Sequence, residues 1–344
     1  MSATEDQVAP APGAARRLTD RLGERTREHL SEAVSQVAAA GALIVIFVYL
    51  SIASPSFLTS DNLFNVGAQT AVTAIIAMGM TLVIITAGID LSVGAVAALA
   101  GVFGAQMMAK YGVPVIPAIL LGTAIGGVAG VVNGLLITLT GIAPFIATLG
   151  MMSVARGALD VSTNAVAVFG LPDNFQLLGQ GLVGPIPIPV IAIAVIALAG
   201  HIVLTRTRLG RYAYAIGSNP EAARLSGIAV KRCLVAVYTI CGALAGLGGM
   251  IAASRVNSGQ PNFGIGLELD VIAAAVIGGA SLFGGQGTIV GTLIGAFLIA
   301  LIRNGSVLLD INIFVQTVVI GVVIWLAVIW DGFRRRKLQS VDSE

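Results

Sequence analysis

Charge is what this sequence has least of. Only 10% of its 344 residues are Asp, Glu, Lys or Arg, against roughly a quarter in an ordinary soluble domain. So few charged groups cannot clothe a water-facing surface, and a globular enzyme is excluded. The two cysteines, Cys233 and Cys241, stand too far apart along one apolar segment to bridge and read as buried, inert thiols. With two histidines, no H-E-x-x-H and no cysteine pair at zinc spacing, no metal site is expected. Lys110, Lys231 and Lys337 follow Ala, Val and Arg, so the Gly-Lys-Ser/Thr needed to cradle ATP is missing, and no cofactor is expected in this chain. The "GGQG" at Gly284 lacks the G-x-G-x-x-G of a dinucleotide site. A net charge of +2 gives no hold on nucleic acid.

What remains is oil and glycine: 56% hydrophobic residues and 43 glycines. Ten apolar segments follow one another at 34–52, 66–87, 91–108, 113–139, 142–159, 190–204, 234–253, 271–283, 288–302 and 311–330. Most approach or exceed the roughly 20 residues needed to cross a bilayer. The expected fold is an all-α polytopic membrane protein of about ten transmembrane helices, some short or broken at glycines. Broken helices survive in a membrane only where protein or a water-lined cavity covers their free backbone groups. Polar residues precede the first segment, which lacks an A-x-A exit and reads as an anchor rather than a cleaved signal.

Lys and Arg gather in three places: Arg16 to Arg27, Arg206 to Arg232 and Arg334 to Lys337. The positive-inside rule places all three in the cytoplasm. Six segments separate the first two clusters and four the last two, both even, as a common side requires. Residues 1–32 are then a cytoplasmic arm, 33–331 the transmembrane domain with a cytoplasmic loop at 205–232, and 332–344 a cytoplasmic tail. The longest outward loop, 160–189, is stiffened by Pro172, Pro185, Pro187 and Pro189 and would offer a dock to an external partner. Glycines at helical spacing, Gly122/126/130/134, Gly242/246 and Gly287/291/295, read as seams of close helix contact. Weak likeness between the breaks at Gly88 and Gly284 hints at an internal repeat.

A buried ionisable group asks for a reason in a bilayer. In "TAGIDLSVG" Gly88 can end one helix while Asp90 or Ser92 caps the next. A capped turn at the membrane surface is the favoured reading, and a solute-binding break is the alternative. Asn133 reads as an interhelical hydrogen-bonding residue or a path contact. Phe145, Thr148, Met152 and Arg156 share a helix face that would line a path for a polyol, although Arg156 is expected to snorkel outward. Glu268 and Asp270 would complement a helix N-terminus, and Arg303 and Asp310 are expected at solvated ends.

One stretch is out of character: "YAIGSNPEAARLSGIAVKR", from Tyr214 to Arg232. Asn219 is an N-cap with Pro220 at the first helical position, Glu221 meets the dipole and Gly227 closes the end. A helix this short needs bracing. The segment resembles the cytoplasmic coupling segment of permease subunits from bacterial ABC importers for simple sugars, the ribose, xylose and arabinose group. Three further stretches match in order: "GMTLVIITAGIDLSVGAVAALAG" (79–101), "APFIATLGMMSVARG" (143–157) and "VIGGASLFGGQGTIVGTLIGA" (276–296).

The resemblance implies an ATP-driven importer of a monosaccharide or related polyol in a bacterial inner membrane. It implies a second permease subunit, as a homodimer, a soluble sugar-binding protein outside, and a cytoplasmic partner that binds ATP and Mg and hydrolyses the nucleotide. It implies that Asn219, Pro220, Glu221, Ala222, Ala223, Arg224, Leu225, Ser226 and Gly227 dock in that partner. Asp90, Ser92, Asn133, Phe145, Thr148 and Met152 are the candidates for the substrate path. An ion-coupled secondary transporter and an ABC permease for branched-chain amino acids remain as alternatives. A rhomboid-like protease would need a histidine placed after Ser281 in the spans, and His201 lies before it.

Overall fold

A computed structural model describes residues 36–341; the expected arm at 1–32 and the last three residues of the tail lie outside them. Every one of the ten apolar segments forms a helix. They are α1 (Gln36–Ala53), α2 (Ser60–Ile85), α3 (Val93–Tyr111), α4 (Val115–Thr140), α5 (Pro144–Thr163), α7 (Ile188–Arg206), α10 (Val230–Arg255), α11 (Leu267–Ile277), α12 (Ile289–Leu308) and α13 (Ile313–Val341). Seven of these, α1 to α4, α7, α10 and α12, are long and apolar enough to cross a membrane. Between α5 and α7 lie a 3-10 turn, a one-turn helix α6 (Leu177–Gln180) and a two-stranded hairpin, β1 (Leu182–Val183) against β2 (Ile186–Pro187). Between α7 and α10 sit α8 (Arg208–Ser218) and α9 (Pro220–Leu225).

The centre of the bundle is α2. Its most apolar window is 89% buried, whereas that of α1 is 11% and that of α7 17%. The outer helices turn Ile44, Val45, Ile52, Leu120, Val161, Val195, Leu198 and Trp325 outward, apolar side chains suited to lipid rather than water.

Small residues let the inner helices touch backbone to backbone. Gly126 lies against Gly242 O and Gly246, Gly130 against Tyr238 O, and Gly134 against Val235, so α4 and α10 meet along a glycine seam. Gly249 faces Ala97 O on α3, and Gly291 and Gly295 of α12 face Gly278 O and Ala274 O. The close-contact reading holds for the first two ladders and for Gly291 and Gly295 of the third, whereas Gly287 lies in the loop ahead of α12 at φ 151°. Without a hydrophobic drive between helices, such contacts gain from dispersion what side chains would deny them.

Two of these helices, α2 and α11, end in tight turns that break the apolar segments early. Helix α2 stops at Ile85, short of Gly88, because Ala87 takes a positive φ of 59° and the Gly88 N–H folds back to Val83 O at 3.0 Å. Helix α11 is only 11 residues long and ends before the loop 278–288, where Gly279, Gly284, Gly285 and Gly287 all adopt positive φ. The two breaks lie against each other: the Gly285 N–H donates to Ile85 O at 2.8 Å. A Thr81–Thr292 hydroxyl pair at 2.6 Å ties the helices that flank them.

Candidate transport and coupling site

Helix α9 forms where its signals place it. Asn219 Oδ1 accepts from the Ala222 N–H at 2.9 Å, Pro220 occupies the first helical position, and Gly227, at φ 82°, donates its N–H to Arg224 O at 3.0 Å. Six residues cannot hold a helix alone. The brace comes from Ala223, 4% exposed, and from the Asn219 N–H bonded to Ala215 O of α8. Leu225, by contrast, is 75% exposed, so an apolar side chain stands free at the tip. Beside it Glu221 and Arg224 pair across one helical turn at 2.5 Å. That guanidinium holds the Glu221 carboxyl below the usual carboxylate range.

Helix α8 connects this tip to the two breaks. Tyr214 Oη donates to Gly287 O at 2.6 Å. At Gly217 the backbone runs so close that a Cβ would overlap Ile85 O and lie 2.5 Å from Gly285 N. Three backbone segments meet at one point: the end of α2, the loop after α11, and the last turn before α9. Neither Gly217 nor Gly285 carried a local signal, since their partners lie far away in sequence.

The first break is pinned by a polar knot. Asp90 Oδ1 accepts from the Ser92 N–H at 2.9 Å and from the Ser92 hydroxyl at 2.5 Å. Asn133 Nδ2 on α4 donates to Ser92 Oγ at 3.0 Å, and Thr148 Oγ1 on α5 accepts from the Leu91 N–H at 3.1 Å. Asp90 and Ser92 are each 1% exposed, and Asn133 and Thr148 fully buried. The cap expected at this turn is therefore corrected. Ser92 occupies the N-cap of α3 without a side-chain cap bond, and Asp90 closes a local turn ahead of the helix, deep in protein. Two buried polar atoms beside it, Asn133 Oδ1 and Tyr238 Oη, have no partner among the described residues. The other path candidates stand apart: Phe145 is 51% exposed on α5, and Met152 packs partly buried against the core.

At the opposite end of the bundle the structure revises three further expectations. Arg156 does not snorkel; its Nη1 donates to Pro261 O at 3.0 Å and Phe263 O at 2.8 Å, fixing the 256–266 loop. Asp270 does more than face a helix N-terminus, and Arg303 is not a loose solvated end. They form an ion pair at 2.6 Å between α11 and α12, with Asp270 5% exposed. Thirty-three residues separate them, too far for any local pattern to pair them.

The matched family model, described as "Branched-chain amino acid transport system / permease component", covers residues 62–328. Curated relatives include the ribose import permease protein of Escherichia coli K12, 46% identical over 295 residues, 85% of this chain and 92% of the relative. The ribose import permease protein of Bacillus subtilis 168 is 45% identical over 310 residues, 90% and 96% of the two chains. The D-allose transport system permease protein of Escherichia coli K12 is 40% identical over 288 residues, 84% and 88%. No solved structure matches the chain.

Proposed function

The chain belongs to the family of transport-system permease components described for branched-chain amino acids, and from that premise we propose that it is the membrane-spanning permease subunit of an ATP-driven sugar importer. The observation that carries the sugar is the identity of 40–46% over most of the chain with permeases named for ribose and allose. The family's description names amino acids, but the likeness to sugar permeases runs through almost the whole length of both partners. An ion-coupled carrier has no such support.

In this reading the chain is a transport subunit of the inner membrane, and ATP with Mg is bound and hydrolysed by a cytoplasmic partner. A soluble binding protein delivers a monosaccharide to the other face, and two copies of the permease enclose the path. Both termini are then cytoplasmic, on the side of α8 and α9. Residues 219–227 dock in the ATP-binding partner, with Leu225 as the free apolar contact and Ala223 as the anchor to the permease. The α8 turn at Gly217 hands movement of α9 to both breaks at once. Among the path candidates, Phe145 and Met152 belong to the helix face along which solute passes. Asp90, Ser92 and Asn133 bond to one another, Thr148 bonds to the Leu91 backbone, and together they hold the first break in shape.

The test is uptake of radiolabelled ribose into proteoliposomes holding the permease, its ATP-binding subunit and its binding protein. Leu225→Asp and Glu221→Arg should abolish ATP-driven uptake and co-purification of the ATPase, with thermal stability of the permease unchanged. Uptake and association at normal levels in both variants would remove the docking assignment.

A further inference from the structure

Two cavities of about 270 and 230 Å³ open at the end of the bundle away from α8 and α9, and both are lined by Arg255 and Phe263. The first takes an apolar wall from α3 and α10, faced by Ser258, Gln260 and Asn262 of the loop that follows. The second is different. Between α2, α11 and α12 it gathers Gln69, Thr73, Arg255, Asp270 and Arg303 around Phe263. Its volume lies below the roughly 300–1,000 Å³ of clefts for drug-sized ligands, a size for one small ring.

The lining chemistry narrows the ligand further. Arg303 grips one oxygen of Asp270 at 2.6 Å, which balances the two charges and leaves the second carboxylate oxygen without a partner among the described residues. A carboxylate oxygen accepts from a hydroxyl and a guanidinium donates to one, so the pair offers both halves of a polyol clamp. The Arg255 guanidinium and the Gln69 amide also have no partner among the described residues, and Gln69 is exposed. Phe263 adds a flat apolar face, whose negative quadrupole attracts the polarised C–H groups of a sugar ring. That ring is held in place. Its loop is bound by Arg156 through Phe263 O and Pro261 O, and Gly264, at φ 73°, lies against the backbone of Gly94 on α3.

We propose that this cavity is a transient monosaccharide subsite, with Phe263 as the stacking face and Asp270, Arg303, Arg255 and Gln69 as hydroxyl partners. The proposal rests on the sugar-importer reading and adds a place in the permease where the sugar pauses. A site on the way must release as well as bind, and a cavity open to solvent with one aromatic face suits that better than an enclosed one.

The experiment is the proteoliposome uptake assay with D-ribose, D-allose and L-leucine as separate probes, run on the full complex. Phe263→Ala and Gln69→Ala should each lower the maximal uptake rate of the transported sugar by about tenfold, the factor for one or two lost contacts. The half-saturating concentration, set by the binding protein, and basal ATP hydrolysis should hold. Phe263→Leu keeps apolar volume but loses the flat face, so it should be nearly as slow as Phe263→Ala, whereas a packing role predicts recovery. Sugar uptake by the wild type together with unchanged rates in Phe263→Ala and Gln69→Ala would overturn the subsite alone. Uptake of L-leucine with neither sugar transported would overturn the importer reading first, and the subsite with it.

Discussion

Replacing Gly217 by alanine should separate folding from coupling. The added Cβ would overlap Ile85 O and sit 2.5 Å from Gly285 N, so backbone must retreat by on the order of 1 Å, and no side-chain rotamer can relieve it. Overpacking of this kind costs about 1–3 kcal/mol. The displaced atoms belong to both breaks and to the turn that carries α9, and the Gly285 N–H bond to Ile85 O at 2.8 Å is the first to lengthen. Gly141→Ala supplies the comparison: its φ of 74° costs a side chain about 1–2 kcal/mol, but nothing lies within 4 Å of the new methyl. Both variants should lose comparable thermal stability in detergent. Only Gly217→Ala should hydrolyse ATP without importing sugar in the reconstituted complex. Normal sugar import per ATP in Gly217→Ala, or equal uncoupling in Gly141→Ala, would refute the mechanical link.

Two more outcomes follow from packing and buried polarity. Gly242→Leu drives a side chain into Gly126 O and to within 3.0 Å of Gly130, so the α4–α10 seam should fail and size-exclusion chromatography should show aggregate; Gly150→Leu, with open space around it, should elute normally. Similar profiles for the two would deny the seam its role. Asp90→Ala orphans the buried Ser92 N–H at a cost of about 1–3 kcal/mol, while Asp90→Asn keeps an acceptor oxygen. Thermal scanning should therefore rank wild type, Asn and Ala in that order, and equal melting of the two variants would remove the knot's structural role.

Hydrophobic runs, glycine spacing and cap residues are local signals, and the helices they announced are present. The α9 caps fall on Asn219, Pro220 and Gly227, and the α4–α10 glycine seam lies where the four-residue spacing put it. What escaped was the partner that each charged residue takes across the bundle. Asp270 and Arg303 looked like separate helix ends because nothing in either stretch points to the other. Arg156 looked free to snorkel because the carbonyls that hold it come from a loop 105 residues away. Asp90 is a good N-cap wherever it stands, yet here the helix begins past Ser92 and Asp90 turns inward. The cavity around Phe263 was the least legible feature, since it draws on four separate stretches of chain.

Helix α11 sets a condition on how the protein is made. Eleven residues span about 16 Å, roughly half the hydrocarbon thickness of a bilayer. Threaded alone into lipid it could not reach across, and the backbone groups at its open end would be left bare in oil, which a membrane does not tolerate. Its shelter is α2, whose Ile85 O accepts from Gly285, and α2 is synthesised some two hundred residues earlier. During translation α2 is already made when α11 emerges, so this segment enters by docking against protein rather than by partitioning alone into lipid.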